Sequence, residues 1–282
     1  MKKIMITGVN GYIGKSLERW LTNYSERYLV DCISLRNDCW KTMDLSVYDV
    51  VLHAAGIAHV KETPIIEELY YKVNRDLAYE VANKAKNDGV NQFILLSSMS
   101  VYGVQNGVIN ENTNLNPKSG YGKSKLEAER LISQLSSNKF YISIVRPPMV
   151  YGKNCGGNYP KLVKAALRAP MFPAIDNKRS MIYIDNLCEF LRLLIDDRSK
   201  GIFFPQNNEY VNTTELVRII AESHGKRIRV TKLFNPLLRF LTVSTINKVF
   251  GDLVYEKKMS EYSTIQKCNY IGFEESIKLT EA

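Results

Sequence analysis

Three glycines spaced as G-x-x-G-x-x-G, Gly8, Gly11 and Gly14, follow directly on the apolar run 3–7. They open a segment in which Ile13, Leu17, Trp20, Leu21 and Tyr24 recur at helical spacing. Strand, glycine turn and amphipathic helix in that order form the first crossover of a parallel sheet, and few other folds accommodate them. Gly8 suits the tight turn, Gly11 lets backbone approach a ligand, and Gly14 lets helix and strand pack closely. A helix N-terminus presents free amides and the positive end of its dipole, so the loop, Tyr12 and Ile13 included, reads as the pyrophosphate site of a dinucleotide.

The rest of the chain fits an α/β doubly wound parallel sheet with a smaller substrate-binding subdomain. Its 282 residues are long enough for both around a shared core. Further strands are expected at 29–35, 49–54, 92–97 and 140–145, giving a sheet of five. The link from the second strand to residue 49 leaves little room for the usual third strand and its helix. Ile66, Leu69, Val73, Leu77 and Val81 form a helical stripe expected to pack in the core. The dinucleotide domain is expected over 1–153 together with 179–205, with 181–184 and 202–204 returning to the main sheet. Residues 154–178 and 206–282 then make the subdomain, with helices at 160–167 and 214–223 and another at 236–249. A further helix is expected at 187–195.

Composition narrows the partners. The five cysteines include no CxxC pair, and the three histidines are not at metal-ligand spacing, so neither disulfides nor a metal site is expected. The net charge of +9 is spread along the chain without a polybasic block or nucleic-acid motif, which points to small phosphorylated ligands. No apolar run approaches the ~20 residues that span a bilayer, and the start has no leader-like apolar region, so a cytoplasmic protein without membrane insertion is expected.

Tyr121 and Lys125 stand at i and i+4 in Tyr-Gly-Lys-Ser-Lys, on one side of an expected helix start. A neighbouring ammonium lowers a phenol's pKa and makes Tyr121 a usable acid and base. Ser98 lies just after the strand at 92–97, at the strand end where α/β sheets place their sites. No carboxylate ends the second strand. The sequence there runs Ser34-Leu35-Arg36-Asn37, with Asp38 expected to lie too late, so Arg36 could pair with a 2′-phosphate. This favours NADP(H), with NAD(H) as the alternative.

The segments TGVNGYIG, SSMSVYG and YGKSK resemble the cofactor loop, serine segment and YxxxK pair of the extended short-chain dehydrogenases/reductases, the UDP-galactose 4-epimerase group. The resemblance implies cofactor contacts from Ala54, Ala55, Gly56, Asn74 and Pro148 besides Tyr121 and Lys125. It implies substrate contacts from Ser98, from Asn158 through the diphosphate amides, and from Arg179 through its guanidinium. The segments VRPPMVYGKNCGGNYP, NKRSMIYIDN and FGDLVY are most similar to enzymes that reduce UDP-linked 4-keto-6-deoxy sugars in capsule and O-antigen synthesis. Met99 and Ser100 follow Ser98 where dehydratases carry an acidic pair, which argues against dehydration. Reduction of a UDP-linked 4-keto sugar is expected, with 4-epimerisation on bound NAD as the alternative and a catalytically silent dinucleotide-binding regulator as the reading from another class. Assembly as a homodimer is left open.

Overall fold

A computed structural model of the chain describes residues 1–58, 60–233, 250–262 and 270–282. Its strands are β1 (Lys2–Thr7), β2 (Tyr28–Ile33), β3 (Val50–His53), β4 (Gln92–Leu96), β5 (Gly107–Ile109) and β6 (Tyr141–Val145), followed by β7 (Met149–Tyr151), β8 (Met171–Pro173), β9 (Met181–Tyr183), β10 (Gly201–Phe203), β11 (Arg229–Thr231) and β12 (Leu253–Tyr255). Six of them make one parallel sheet in the order β10-β6-β4-β3-β1-β2. Sheets covered on both faces need strands apolar on both sides, and Ile4, Met5, Ile6 and the whole of β3 and β4 are buried.

Two helices cover one face. In α1 (Tyr12–Thr22) Leu17 and Leu21 are buried, and α7 (Ile184–Asp197) packs against it. Each such leucine contributes about 2 kcal/mol by leaving water. The chain passes from β2 to β3 through only the short α2 (Cys39–Thr42), so β2 is an edge strand and the usual third strand is missing, as the short link predicts.

Two expectations need correction. Residues 202–204 do reach the main sheet through β10, whereas β9 pairs with β7 in a separate ribbon. Pro147 and Pro148 follow β6 and cannot donate to a ladder, so the chain leaves the sheet there and β7 starts a new pairing. The second correction concerns the helical stripe. From α3 (Pro64–Tyr70) the chain continues through a π-helical stretch, Tyr71–Leu77, into α4 (Ala78–Asn87). The wider turn brings Tyr70, Asn74 and Ala78 into the buried face and leaves Leu69 exposed, whereas Val81 is buried and Leu77 packs against the core as expected.

At the far end α6 (Tyr159–Arg168), α8 (Thr213–Ser223) and α9 (Phe273–Glu281) pack together. The Tyr159 hydroxyl donates to Glu281 Oε1 at 2.7 Å, and His224 pairs with the same carboxylate. The helix expected at 236–249, His59 and Cys268 lie outside the described residues. Cys32, Cys39, Cys155 and Cys188 are free thiols.

Candidate active site

The glycine loop closes one end of a cleft of about 970 Å³ along the C-terminal ends of β1, β2 and β3. Gly8 has φ +86°, and a Cβ there would stand 2.8 Å from the backbone of Ala55, so only glycine lets the two turns meet. Gly11 caps α1 without a side-chain hydrogen bond, and the first turn carries no acid. Those amides suit a pyrophosphate. Gly14 stands close to Ile6 and Ala54, where helix meets strand. The Tyr12 and Ile13 side chains pack into the core instead of the cleft, and the Tyr12 hydroxyl is buried without a partner, so these residues can serve only through their backbone.

Of the cofactor residues expected from sequence, Gly8, Gly11, Arg36, Ala54, Ala55 and Gly56 line the cleft. Asp38, expected to lie too late in the sequence, lines it too: as the N-cap of the short α2 it is carried back to the cleft wall. Its carboxylate pairs with Lys41 at 3.0 Å. Trp40 is 2% exposed and stands between the cleft and the core beneath. Val73 and Leu77, read from sequence as core positions, also face the cleft as a consequence of the π-helical shift.

Beneath the loop, Thr7 and His53 are paired across β1 and β3, with His53 Nδ1 and Thr7 Oγ1 3.1 Å apart. Burial pulls the His53 pKa down to about 3, so the ring is neutral at working pH. Thr7 Oγ1 in turn accepts from the Ala55 amide at 3.3 Å.

The cleft runs toward Lys125. A side chain at Gly56 would stand 3.0 Å from Asn74 Oδ1 and 3.3 Å from Lys125 Nζ. Asn74, wholly buried in the π-helical stretch, holds both the amide and the carbonyl of Ile57 at 2.8 and 3.0 Å, and so fixes the segment after Gly56. Lys125 donates to the Leu96 carbonyl at 2.9 Å, at the end of β4. Tyr121 starts α5 (Gly120–Ser133), capped by Ser119, and its phenol lies near enough to Ser98 for that side chain to lower its pKa. Ser98 Oγ also accepts from the Ser100 hydroxyl at 2.7 Å. Gly122 explains how helix and serine segment come together: a Cβ there would lie 2.7 Å from the Ser100 carbonyl. Pro148 is buried, and the neighbouring Pro147 carbonyl accepts from Met99 N at 3.0 Å, so Pro148 reaches the site only as part of this wall.

The expected lowering of the Tyr121 pKa is not what the structure has. Burial raises it, and the nearby Ser98 only partly opposes that. Burial also brings Lys125 down to about 8, with Glu129 acting the other way. The Lys125 ammonium is thus costly where it stands. An unfolded lysine titrates near ~10.4, so between about 8 and that value the unfolded chain holds a proton the folded chain has released. The stability Lys125 contributes is full above the unfolded value and is lost as pH falls through about 8. Urea unfolding should show the stability of wild type relative to Lys125→Met rising by up to about 1.4 kcal/mol per pH unit across that window. A difference independent of pH would contradict it.

A buried network unread in the sequence supports this group. Glu129, one turn beyond Lys125, accepts from Arg146 Nε at 3.0 Å and from the hydroxyl of Ser97, while Arg146 Nη1 donates to the Tyr102 hydroxyl at 2.9 Å. Both charged side chains are 4% exposed.

None of the three residues expected to bind substrate, Ser98, Asn158 and Arg179, lines the cleft, and neither do Tyr121 and Lys125. Asn158 is exposed as the N-cap of α6, and half-buried Arg179 donates to the Gly251 carbonyl at 2.9 Å. Burial lowers the Arg179 pKa, with Asp252 opposing. Among the described residues no group of histidine, cysteine and carboxylate side chains could hold a metal ion.

Residues 4–204 match the model of the NAD dependent epimerase/dehydratase family. The chain is 29% identical over 246 residues to a UDP-glucose 4-epimerase of Vibrio cholerae, covering 78% of this chain and 75% of that protein. It is 30% identical over 253 residues to the N-acetyl-alpha-D-glucosaminyl-diphospho-ditrans,octacis-undecaprenol 4-epimerase of Escherichia coli O157:H7, covering 83% and 76%. The fold is shared with a UDP-glucuronic acid 4-epimerase from Bacillus cereus solved with NAD, at a TM-score of 0.75 and 20% identity over 99% of this chain and 95% of that one.

Proposed function

Because the chain belongs to the NAD dependent epimerase/dehydratase family, we propose that it inverts carbon 4 of a hexose carried on a diphosphate. The observation that carries the reading is Lys125 held on the Leu96 carbonyl at the end of β4 and beside Gly56 where the cleft arrives, with Tyr121 one turn before it on α5 and near Ser98. Tyr121 takes the proton of the 4-hydroxyl as that carbon is oxidised and returns it as the carbon is reduced. Ser98 hydrogen-bonds the same oxygen, and Lys125 holds the ribose beside it. Gly8, Gly11 and Ala54–Gly56 would hold a nicotinamide dinucleotide, which would supply the hydride transfer at carbon 4. Asn158 and Arg179 hold the diphosphate.

This reading differs from the reduction favoured by sequence alone. Asp38 beside the cleft supports it, since a carboxylate there accepts from ribose hydroxyls and repels a 2′-phosphate. The names of two relatives, both 4-epimerases, support it as well. One names a nucleotide carrier and the other a polyprenyl carrier, and each offers the diphosphate. Reduction of a 4-keto sugar with NADPH is the second reading, favoured by Arg36 on the same wall.

Purified protein given UDP-N-acetylglucosamine and UDP-glucose without added cofactor is the test. The expected result is a 4-epimer by NMR and NAD released on denaturation. Activity seen only with a 4-keto sugar and added NADPH, with Arg36→Ala raising KM for NADPH far more than for NADH, would replace this reading with the second.

A further inference from the structure

The outer side of α6 and the β8–β11 ribbon carry a charge pattern for which the reaction has no use. Residues 160–175 hold three lysines and arginines, residues 224–233 hold four, and neither segment contains an aspartate or glutamate. Lys161, Lys164 and Arg168 fall at i, i+3 and i+7 of α6 and are exposed on one side of it. The β8–β11 pairing sets Arg229 opposite Met171, and Lys226 donates to the Leu167 carbonyl, so the two segments form one surface.

Aliphatic side chains stand among these cations. Leu167, Met171, Val230 and Leu233 are 37, 38, 42 and 81% exposed. The neighbouring carboxylates do not offset the seven lysines and arginines of the two segments: Glu215 and Glu222 both pair with Arg218, and Glu281 is nearly buried against His224.

We infer that this surface docks the protein on a bilayer containing anionic phospholipid. The lysines and arginines meet the headgroups, and the four aliphatic side chains enter the boundary beneath them. Nucleic acid would satisfy the cations but leave the aliphatic side chains in water, so the pattern favours lipid. Attachment is peripheral, because no helix among the described residues is long and apolar enough to cross a membrane. The surface starts beside Asn158, where Lys161 Nζ donates to its Oδ1 at 3.4 Å, and runs about 15 Å along the ten residues of α6 to Arg168. If Asn158 holds the diphosphate as proposed, docking brings a polyprenyl-linked sugar within reach. This last consequence rests on that reading, whereas the surface itself does not.

The test sediments the full chain with vesicles of phosphatidylcholine alone and of phosphatidylcholine with phosphatidylglycerol. Binding is expected only to the second, weakening with salt. Arg168→Glu with Arg229→Glu should weaken it at least 25-fold, since each lost cation is worth about fivefold, the roughly 1 kcal/mol of a basic residue near an anionic surface. Val230→Ser with Leu233→Ser should weaken it without changing its salt dependence. Turnover of a water-soluble nucleotide sugar should be unchanged in both variants, which separates failure of docking from failure of the site. Equal binding to both vesicles, charge-reversed protein that binds like wild type, or displacement from vesicles by equimolar single-stranded RNA would overturn the inference.

Discussion

Tyr121→Phe should retain the fold and the affinity for dinucleotide while turnover falls by roughly 10²- to 10⁴-fold, the span expected on removing a positioned acid and base. The ring is held by its edge-on contact with Tyr70, at 5.8 Å between centroids, and by the capped start of α5, neither of which needs the hydroxyl. What disappears is the hydroxyl proposed to move the 4-hydroxyl proton, together with its proximity to Ser98. Steady-state kinetics beside a cofactor titration would check this. Near wild-type turnover would remove Tyr121 from the chemistry.

Glu129→Gln should destabilise the protein by about 3–5 kcal/mol, the cost of leaving one partner of a buried ion pair uncompensated. Arg146 has no way to reach water, since it is walled in by Tyr102, Phe204 and Tyr255, whose hydroxyl donates to the Arg146 carbonyl at 3.0 Å. Urea unfolding would measure the loss. The double variant Glu129→Leu, Arg146→Met should lose less than Glu129→Gln, because both charges leave together. A larger loss in the double variant would show that packing of these side chains, and not their charge, holds the site. Activity should fall in Glu129→Gln even where it is folded, because Ser97 next to Ser98 and Lys125 one turn away both lean on this carboxylate.

The glycine loop, the parallel sheet and the missing third strand could all be read from the sequence, because each depends on local pattern: glycine spacing, continuous apolar runs, and the length of the link after β2. The same holds for Ser98, Tyr121 and Lys125, which a strand end and one helical turn bring together. The approach of Asp38 to the cleft is not legible in spacing, because it depends on how tightly α2 turns back, a tertiary matter. The Glu129–Arg146 pair leaves no local signal, because its members are 17 residues apart and look like ordinary surface charges until α5 packs on β6. Gly122 did carry a signal, a glycine inside a helix start, with only its neighbour on the serine segment undisclosed. Pairing of β9 with β7 escaped notice because three-residue strands carry too little pattern to name their partner.

The π-helical stretch at Tyr71–Leu77 works as a rotational spacer. An α-helix advances about 100° per residue, so one surplus residue in a turn sets two straight lengths of helix out of phase by that angle without breaking the rod. On one side of the spacer, α3 follows a phase that points Tyr70 at the ring of Tyr121; on the other, α4 follows the phase its core alanines require. Removing a single residue from this stretch would bring the two lengths into phase, so that one or other of these faces would turn away from its partner.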